Sequence, residues 1–249
     1  MKIGAQMYTV RAFTQDLDGF RESLKRIADI GYTTVQVSGT CAFEPQWLKE
    51  QLAQTGLSCV LTHTPADRLL RDSLQVAKDH DVFECDMVGL GYYSFDDTKG
   101  DTYQCFKEKY LPVAKVLHDA GKYFMYHNHD QEFRKQDGKT LLQQLAEDFP
   151  ADQMGFTLDT FWVQASGGDP AQWLERLAGR IPCIHLKDYA YGRQMAVIGE
   201  GNINFDRVFE KAEAGLTRYM LVEQDDCNGE DPFECLRRSY QYLRAMGFQ

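Results

Sequence analysis

The 249-residue chain has no apolar run approaching the roughly 18 residues of a membrane span, so a membrane partner is not expected. Its first residues, Met1 to Val10, lack a basic start followed by an apolar block. They read as a strand rather than a signal peptide. There are seven cysteines, at 41, 59, 85, 105, 183, 227 and 235, but no CxxC pair. An odd number at wide spacing argues against a disulfide framework and a structural zinc site, and reduced thiols point to the cytoplasm. Positive charge is scarce: 27 Lys and Arg against 37 Asp and Glu leave a net charge of -10. Such a surface repels phosphate backbones, so nucleic acid is not an expected partner. No GxGxxG follows a strand, which removes the usual sign of a dinucleotide fold. No linker or low-complexity segment divides the chain, so residues 1–249 are read as one domain.

What is present is a regular alternation. Short apolar runs occur at Ile3–Tyr8, Thr34–Val37, Cys59–Thr62, Met87–Leu90, Tyr123–His127, Gly155–Leu158, Cys183–Leu186 and Met220–Val222. Runs of this length suit strands of a parallel sheet buried on both faces. Between them lie amphipathic patterns, such as Leu17, Phe20, Leu24, Ile27 and Ala28 on one helical face. Gly31, Gly56, Gly121, Gly179, Gly215 and Gly247 stand where helices should end in a left-handed residue. Asp169-Pro170 and Asp231-Pro232 read as N-caps followed by proline in the first turn. Eight strand–helix units in a chain of this length predict a single (β/α)8 TIM barrel, with an open doubly wound sheet as the alternative.

A barrel places its site at the C-terminal ends of the strands. There the first strand offers Gln6 and Tyr8, the second Gln36 and Ser38, and the third His63. The fifth offers His127, His129 and, a little further on, Glu132. The sixth ends on Asp159, the seventh on His185 and Lys187, and the eighth on Glu223 and Asp225. Any one of these has an ordinary structural explanation. Four consecutive strands ending on carboxylates and imidazoles would be costly around one mouth without a cation. Mixed His and carboxylate donors suit Mn²⁺, Zn²⁺, Co²⁺ or Fe²⁺, with Mg²⁺ a further option. Trp162, Phe161, Tyr8 and Phe133 read equally as an apolar wall for a sugar ring and as core packing.

At these positions the chain resembles the sugar phosphate isomerase/epimerase family, within the xylose-isomerase-like barrels that also include relatives of endonuclease IV. The resemblance rests on Gly4–Arg11, Tyr126–Phe133, Leu158–Trp162, His185–Asp188 and Val222–Gln224. It implies one divalent metal held by residues of strands five to eight. Asp159, His185 and Glu223 match three of the family's ligands. Glu132 is the expected fourth, with His127 as the alternative. The resemblance also implies proton abstraction beside a carbonyl of a sugar, keto-sugar or cyclitol. Glu223, His127 or His129 would act as base, and Lys187 would stabilise an oxyanion or bind a hydroxyl. Gln6, Tyr8, His63 and Trp162 complete the expected substrate contacts. A histidine where the epimerases carry a glutamate also suits a lyase that eliminates from a 3-keto-glycoside or keto-inositol. The acidic balance and only six histidines argue against an endonuclease IV-like nuclease. A non-catalytic sugar-binding barrel is the remaining class. Association into a homo-oligomer is compatible with the sequence.

Overall fold

The computed structural model describes residues 1–136 and 138–249. Eight parallel strands close into a barrel: β1 (Lys2–Gln6), β2 (Thr34–Val37), β3 (Ser58–His63), β4 (Met87–Leu90), β5 (Tyr123–His127), β6 (Met154–Asp159), β7 (Cys183–Leu186) and β8 (Tyr219–Val222). Each strand pairs with its sequence neighbours, and β8 pairs with β1. The (β/α)8 barrel read from the sequence is therefore the fold, and the open sheet is not.

The helices wrap the outside: α1 (Leu17–Ile30), α2 (Pro45–Thr55), α3 (Ala66–Val82), α4 (Tyr103–Asp119), α5 (Leu141–Asp148), α6 (Thr160–Ala165), α7 (Pro170–Arg176), α8 (Phe205–Ala214) and α9 (Pro232–Ala245). Asp16 caps α1 by accepting from Gly19 N, and Gly31 ends it at φ 119°. Asp169 and Asp231 cap α7 and α9 ahead of a proline, as their sequence predicts. Gly215 departs from expectation. Its φ is -82°, and the left-handed residue is the next one, Leu216, at φ 63°. Two short antiparallel ladders lie outside the barrel, Lys135–Gln136 with Lys139–Thr140 and Asp188–Ala190 with Gln194–Ala196. None of the helices is long and apolar enough to cross a membrane among the described residues.

The strand period of two explains how the interior is layered. Leu61, Met87, Met125, Cys183 and Leu221 form an apolar plug separate from the main core. Two residues further along four of those strands stand His63, His127, His185 and Glu223. Alternation thus stacks a layer of ionisable groups directly on a layer of apolar ones. The larger core, between the strands and the helices, fixes the wall that carries both layers.

Candidate active site

His127 ends β5, Asp159 ends β6, His185 lies in β7 and Glu223 follows β8. One donor atom from each of the four lies within 4.8 Å of all the others, and all four residues are buried. Glu132, the expected strand-five ligand, is not among them, and His127, the alternative, is. The chain leaves β5 after His127, and a turn at Gln131–Phe133 carries Glu132 back beneath the strand end. Its carboxylate accepts from Tyr126 Oη at 2.6 Å and from His129 N at 2.7 Å. Glu132 therefore braces the loop, and the weaker candidate, His127, occupies the place beside Asp159.

The outer nitrogen of each histidine decides where its lone pair points. His127 Nδ1 lies 3.0 Å from the carbonyl oxygen of Gly91, which only accepts, so that nitrogen carries the proton. Nε2 then presents its lone pair to Asp159 Oδ2 at 3.2 Å. His185 Nε2 lies 2.6 Å from Gln36 Oε1. Its Nδ1 faces Glu223 Oε2 at 2.8 Å and Asp159 Oδ2 at 3.8 Å. His185 Nδ1 and Glu223 Oε2 are both buried and face each other, with Lys187 Nζ 3.0 Å from Oε2 on its other side. Lone pairs and carboxylate oxygens aimed at one point need a proton or a cation between them. Two imidazoles and two carboxylates at this spacing fit one divalent transition ion, whose bonds to such donors are roughly 2.0–2.2 Å. His127, Asp159, His185 and Glu223 would hold it. Asp159 is fixed for this by its other oxygen, which caps α6 through Trp162 N at 3.0 Å, while Asn128 Oδ1 accepts from its backbone N–H.

Lys187 is the cation of the site. Its Nζ lies 3.1 Å from Asp159 Oδ2, 3.0 Å from Glu223 Oε2 and 2.9 Å from Asp225 Oδ2. Burial alone would lower its pKa, but the three carboxylates outweigh burial and hold the ammonium above its ordinary range. The same charges work in reverse on their partners. Burial would raise Asp159 and Glu223, yet Lys187 and the histidines keep both carboxylates below the usual range. Burial would lower His185, but Glu223 and Asp159 raise it. For His63, His127 and His129 the same carboxylates do not outweigh burial. Burial, with the neighbouring imidazoles, lowers all three, His129 to about 3. Asp225 goes the other way: burial and Glu223 push it up to about 6.

A cavity of about 490 Å³ opens above the four residues. His63, His127, His129, Lys187, Glu223 and Asp225 line it, with Tyr8 and Tyr92 toward solvent. His129 Nδ1 and Asp225 Oδ1 are buried atoms without partners, on strand ends three places apart in the ring of eight. His63 Nδ1 bonds Ser38 Oγ at 3.1 Å. Close packing there depends on Gly91, because a Cβ at that position would fall 2.7 Å from His63 Nδ1. Trp162 stands behind the lining. Its ring lies 5.3 Å from that of His129 and 5.7 Å from Lys187 Nζ. Gln6 is not at the cavity surface. It is fully buried, and its Oε1 accepts from Tyr8 N at 3.0 Å, starting the turn that carries Tyr8.

Two residues placed at the mouth by the sequence have roles that only the structure reveals. Asp225 was visible only as one more acid after β8. Gln36 carried a signal, since an amide in a strand buried on both faces needs a partner. That partner, His185, is 149 residues away. If the Gln36 amide orients the imidazole, Gln36→Leu should weaken affinity for Mn²⁺ or Co²⁺ by about 10–100-fold. Titration against a chromophoric chelator checks this. An unchanged affinity would mean that the imidazole is held by its other contacts.

The loop after β7 has backbone amides suited to an anion, but they are already taken. Asp188 Oδ2 accepts from Gly199 N at 3.0 Å and Gly201 N at 2.9 Å, and Oδ1 accepts from Ile203 N at 3.2 Å. A buried carboxylate fills the nest, and Glu200 beside it pairs with Arg238 at 3.0 Å. This loop is closed to a substrate phosphate.

The model of one family, described as xylose isomerase-like TIM barrel, matches residues 24–246. Comparison with curated proteins gives no match. Among solved structures, a sugar phosphate isomerase/epimerase from Parabacteroides distasonis ATCC 8503 superposes with a TM-score of 0.83 at 22% identity, over 98% of this chain and 93% of that one. An L-ribulose 3-epimerase gives 0.77 at 17% identity, over 98% and 94%. A probable 3-DHS dehydratase involved in petrobactin synthesis, from Bacillus anthracis, gives 0.70 at 14% identity, over 98% and 99%. At these identities the likeness is one of fold.

Proposed function

We propose a function from two premises: the chain belongs to the xylose isomerase-like TIM barrel family, and its mouth joins a buried His-Asp-His-Glu tetrad to a cavity. The protein is a divalent-metal-dependent isomerase or epimerase of a neutral sugar, keto-sugar or cyclitol, acting by proton transfer at the carbon beside a carbonyl. The observation that carries this reading is the convergence of His127 Nε2, Asp159 Oδ2, His185 Nδ1 and Glu223 Oε2 beneath the cavity.

A divalent cation at the tetrad supplies Lewis-acid stabilisation of the charge that develops on the substrate oxygens. The chain's own residues do the rest. His129, half-buried at the cavity and held unprotonated by burial, takes the carbon-bound proton at Nδ1, with Asp225, pushed up to about 6, as the rival base. Asp225 Oδ1, on the strand-eight side, exchanges a proton with the other face of the same carbon or with the adjacent oxygen. Lys187 stays protonated and hydrogen-bonds the developing oxyanion. His63 and Tyr8 bind hydroxyls. The occupied nest at Asp188 supports a neutral substrate over a sugar phosphate.

Incubating metal-loaded protein with ketoses, 3-keto-glycosides and inososes in D₂O tests the proposal. The expected result is deuterium at one carbon beside the carbonyl of a recovered sugar. No incorporation into any of them sinks the reading. The second reading, a lyase, shares the first step. It is favoured by Asp225, a cavity-lining carboxyl that burial and Glu223 push up to about 6 and that can protonate a departing oxygen near neutrality. An unsaturated product in place of a labelled sugar would select it.

A further inference from the structure

A second pocket, of about 370 Å³, adjoins the reaction cavity. The two share a wall made by Ser38-Gly39 after β2 and His63-Thr64-Pro65 after β3. His63 turns its ring to the barrel axis, where it stacks on His127 at 5.2 Å. Thr62 turns the opposite way and bonds His80 of α3 at 2.8 Å. The second pocket therefore lies on the helix side of the strand ends, and the reaction cavity on the axis side.

Its chemistry differs from that of the cavity. Val37, Ala42, Phe43, Pro45, Pro65 and Phe83 are among the residues that line it. Phe43 and Phe83 stand edge to face, with centroids 6.5 Å apart. Most of its polar side chains are paired, His63 Nε2 being an exception. His80 Nδ1 donates to Val76 O at 2.7 Å, so Nε2 accepts from the Thr62 hydroxyl, which in turn contacts Thr64 Oγ1 at 2.9 Å. Arg68 and Asp79 neutralise each other. The thiol of Cys41, raised by burial and by Asp16, is a poor nucleophile. The pocket thus offers apolar contact and no free charge. An uncharged, ring-sized apolar group suits it, and a phosphate or carboxylate does not.

We infer that the substrate is a sugar carrying an uncharged apolar substituent, a glycoside with an aromatic or aliphatic aglycone. The sugar ring occupies the cavity over the tetrad, and the substituent crosses Gly39 into the pocket of Phe43 and Phe83. This rests on the proposed sugar chemistry for the cavity, but its test is separable from that reading.

Ala42 is exposed and belongs to the pocket alone, so Ala42→Trp fills it without touching the cavity. Thr40→Trp, on the same loop, is the second variant, and thermal unfolding checks that both fold. Binding of phenyl β-D-glucopyranoside and of methyl β-D-glucopyranoside is followed by saturation-transfer NMR. The phenyl glycoside is expected to bind at least about tenfold more tightly than the methyl one, and each tryptophan variant should remove that difference, a change of roughly 1.4 kcal/mol. Equal binding of the two glycosides, or a preference that survives both variants, overturns the inference. Exchange of a free ketose in D₂O, unchanged in both variants, would show the site reading intact while the substituent pocket fails. A phenyl preference lost in the variants, with no exchange of any sugar, would uphold the pocket and sink the proposed reaction.

Discussion

Asp159→Asn is expected to lower bound metal from about one equivalent per chain to less than about a tenth, and the exchange rate by at least about 10³-fold. The two oxygens of Asp159 have separate duties. Oδ1 caps α6, and Oδ2 faces His127 Nε2, His185 Nδ1 and Lys187 Nζ. Asparagine keeps a good cap, so the variant removes the charge and little of the helix start. Asp159→Ala removes both and should cost about 1 kcal/mol more in stability. Glu223→Gln should match Asp159→Asn in metal content, because it removes the carboxylate that His185 Nδ1 faces. Elemental analysis of protein from metal-replete growth, with unfolding curves for each variant, makes the measurement. Full metal content in both Asp159→Asn and Glu223→Gln would remove the tetrad as the binding site. Lys187 makes the outcome sharp. It retains two of its three carboxylates in either variant, so the ion cluster should survive while the metal site does not.

The fold was legible because its signals are local and repeated. Each strand is a short apolar run, and most helices begin at a capping side chain. The exceptions are instructive. Gly215 looked like a left-handed helix end, but Leu216 takes that conformation, because the helix closes one residue later, with Thr217 N donating to Ala212 O at 2.9 Å. The site was legible where alternation reaches it. His127, His185 and Glu223 sit two residues beyond Met125, Cys183 and Leu221, so the face of the apolar plug predicts the face of the ligands. Glu132 was not legible in this way. It lies past the strand end, where a turn rather than alternation aims the side chain, and its partners are Tyr126 and His129. Asp225 shares that position beyond a strand, and only its contact with Lys187 marks it.

That same boundary separates the two histidines of the fifth strand, and their replacement should give opposite results. His127 is the last residue of β5 and points into the tetrad. His129 lies beyond it, half-buried, with Nδ1 unpartnered and its ring 4.6 Å from that of His127. His127→Gln should therefore lose metal. His129→Gln should retain it and yet lose at least about a hundredfold in solvent exchange, the low end of what a general base contributes. Glutamine preserves much of the size and a hydrogen-bonding end, so packing against Trp162 and Tyr92 should change little. The contrast between metal content and exchange is what assigns the roles. A structural histidine would lower stability and leave exchange per folded molecule intact. Asp225→Asn supplies the comparison from the opposite side of the cavity. If exchange survives in His129→Gln but falls in Asp225→Asn with metal retained, the proton leaves from the strand-eight face and His129 binds a hydroxyl instead. If His127→Gln keeps its metal, the lone-pair argument built on the Gly91 carbonyl is wrong and the fourth donor must be sought elsewhere.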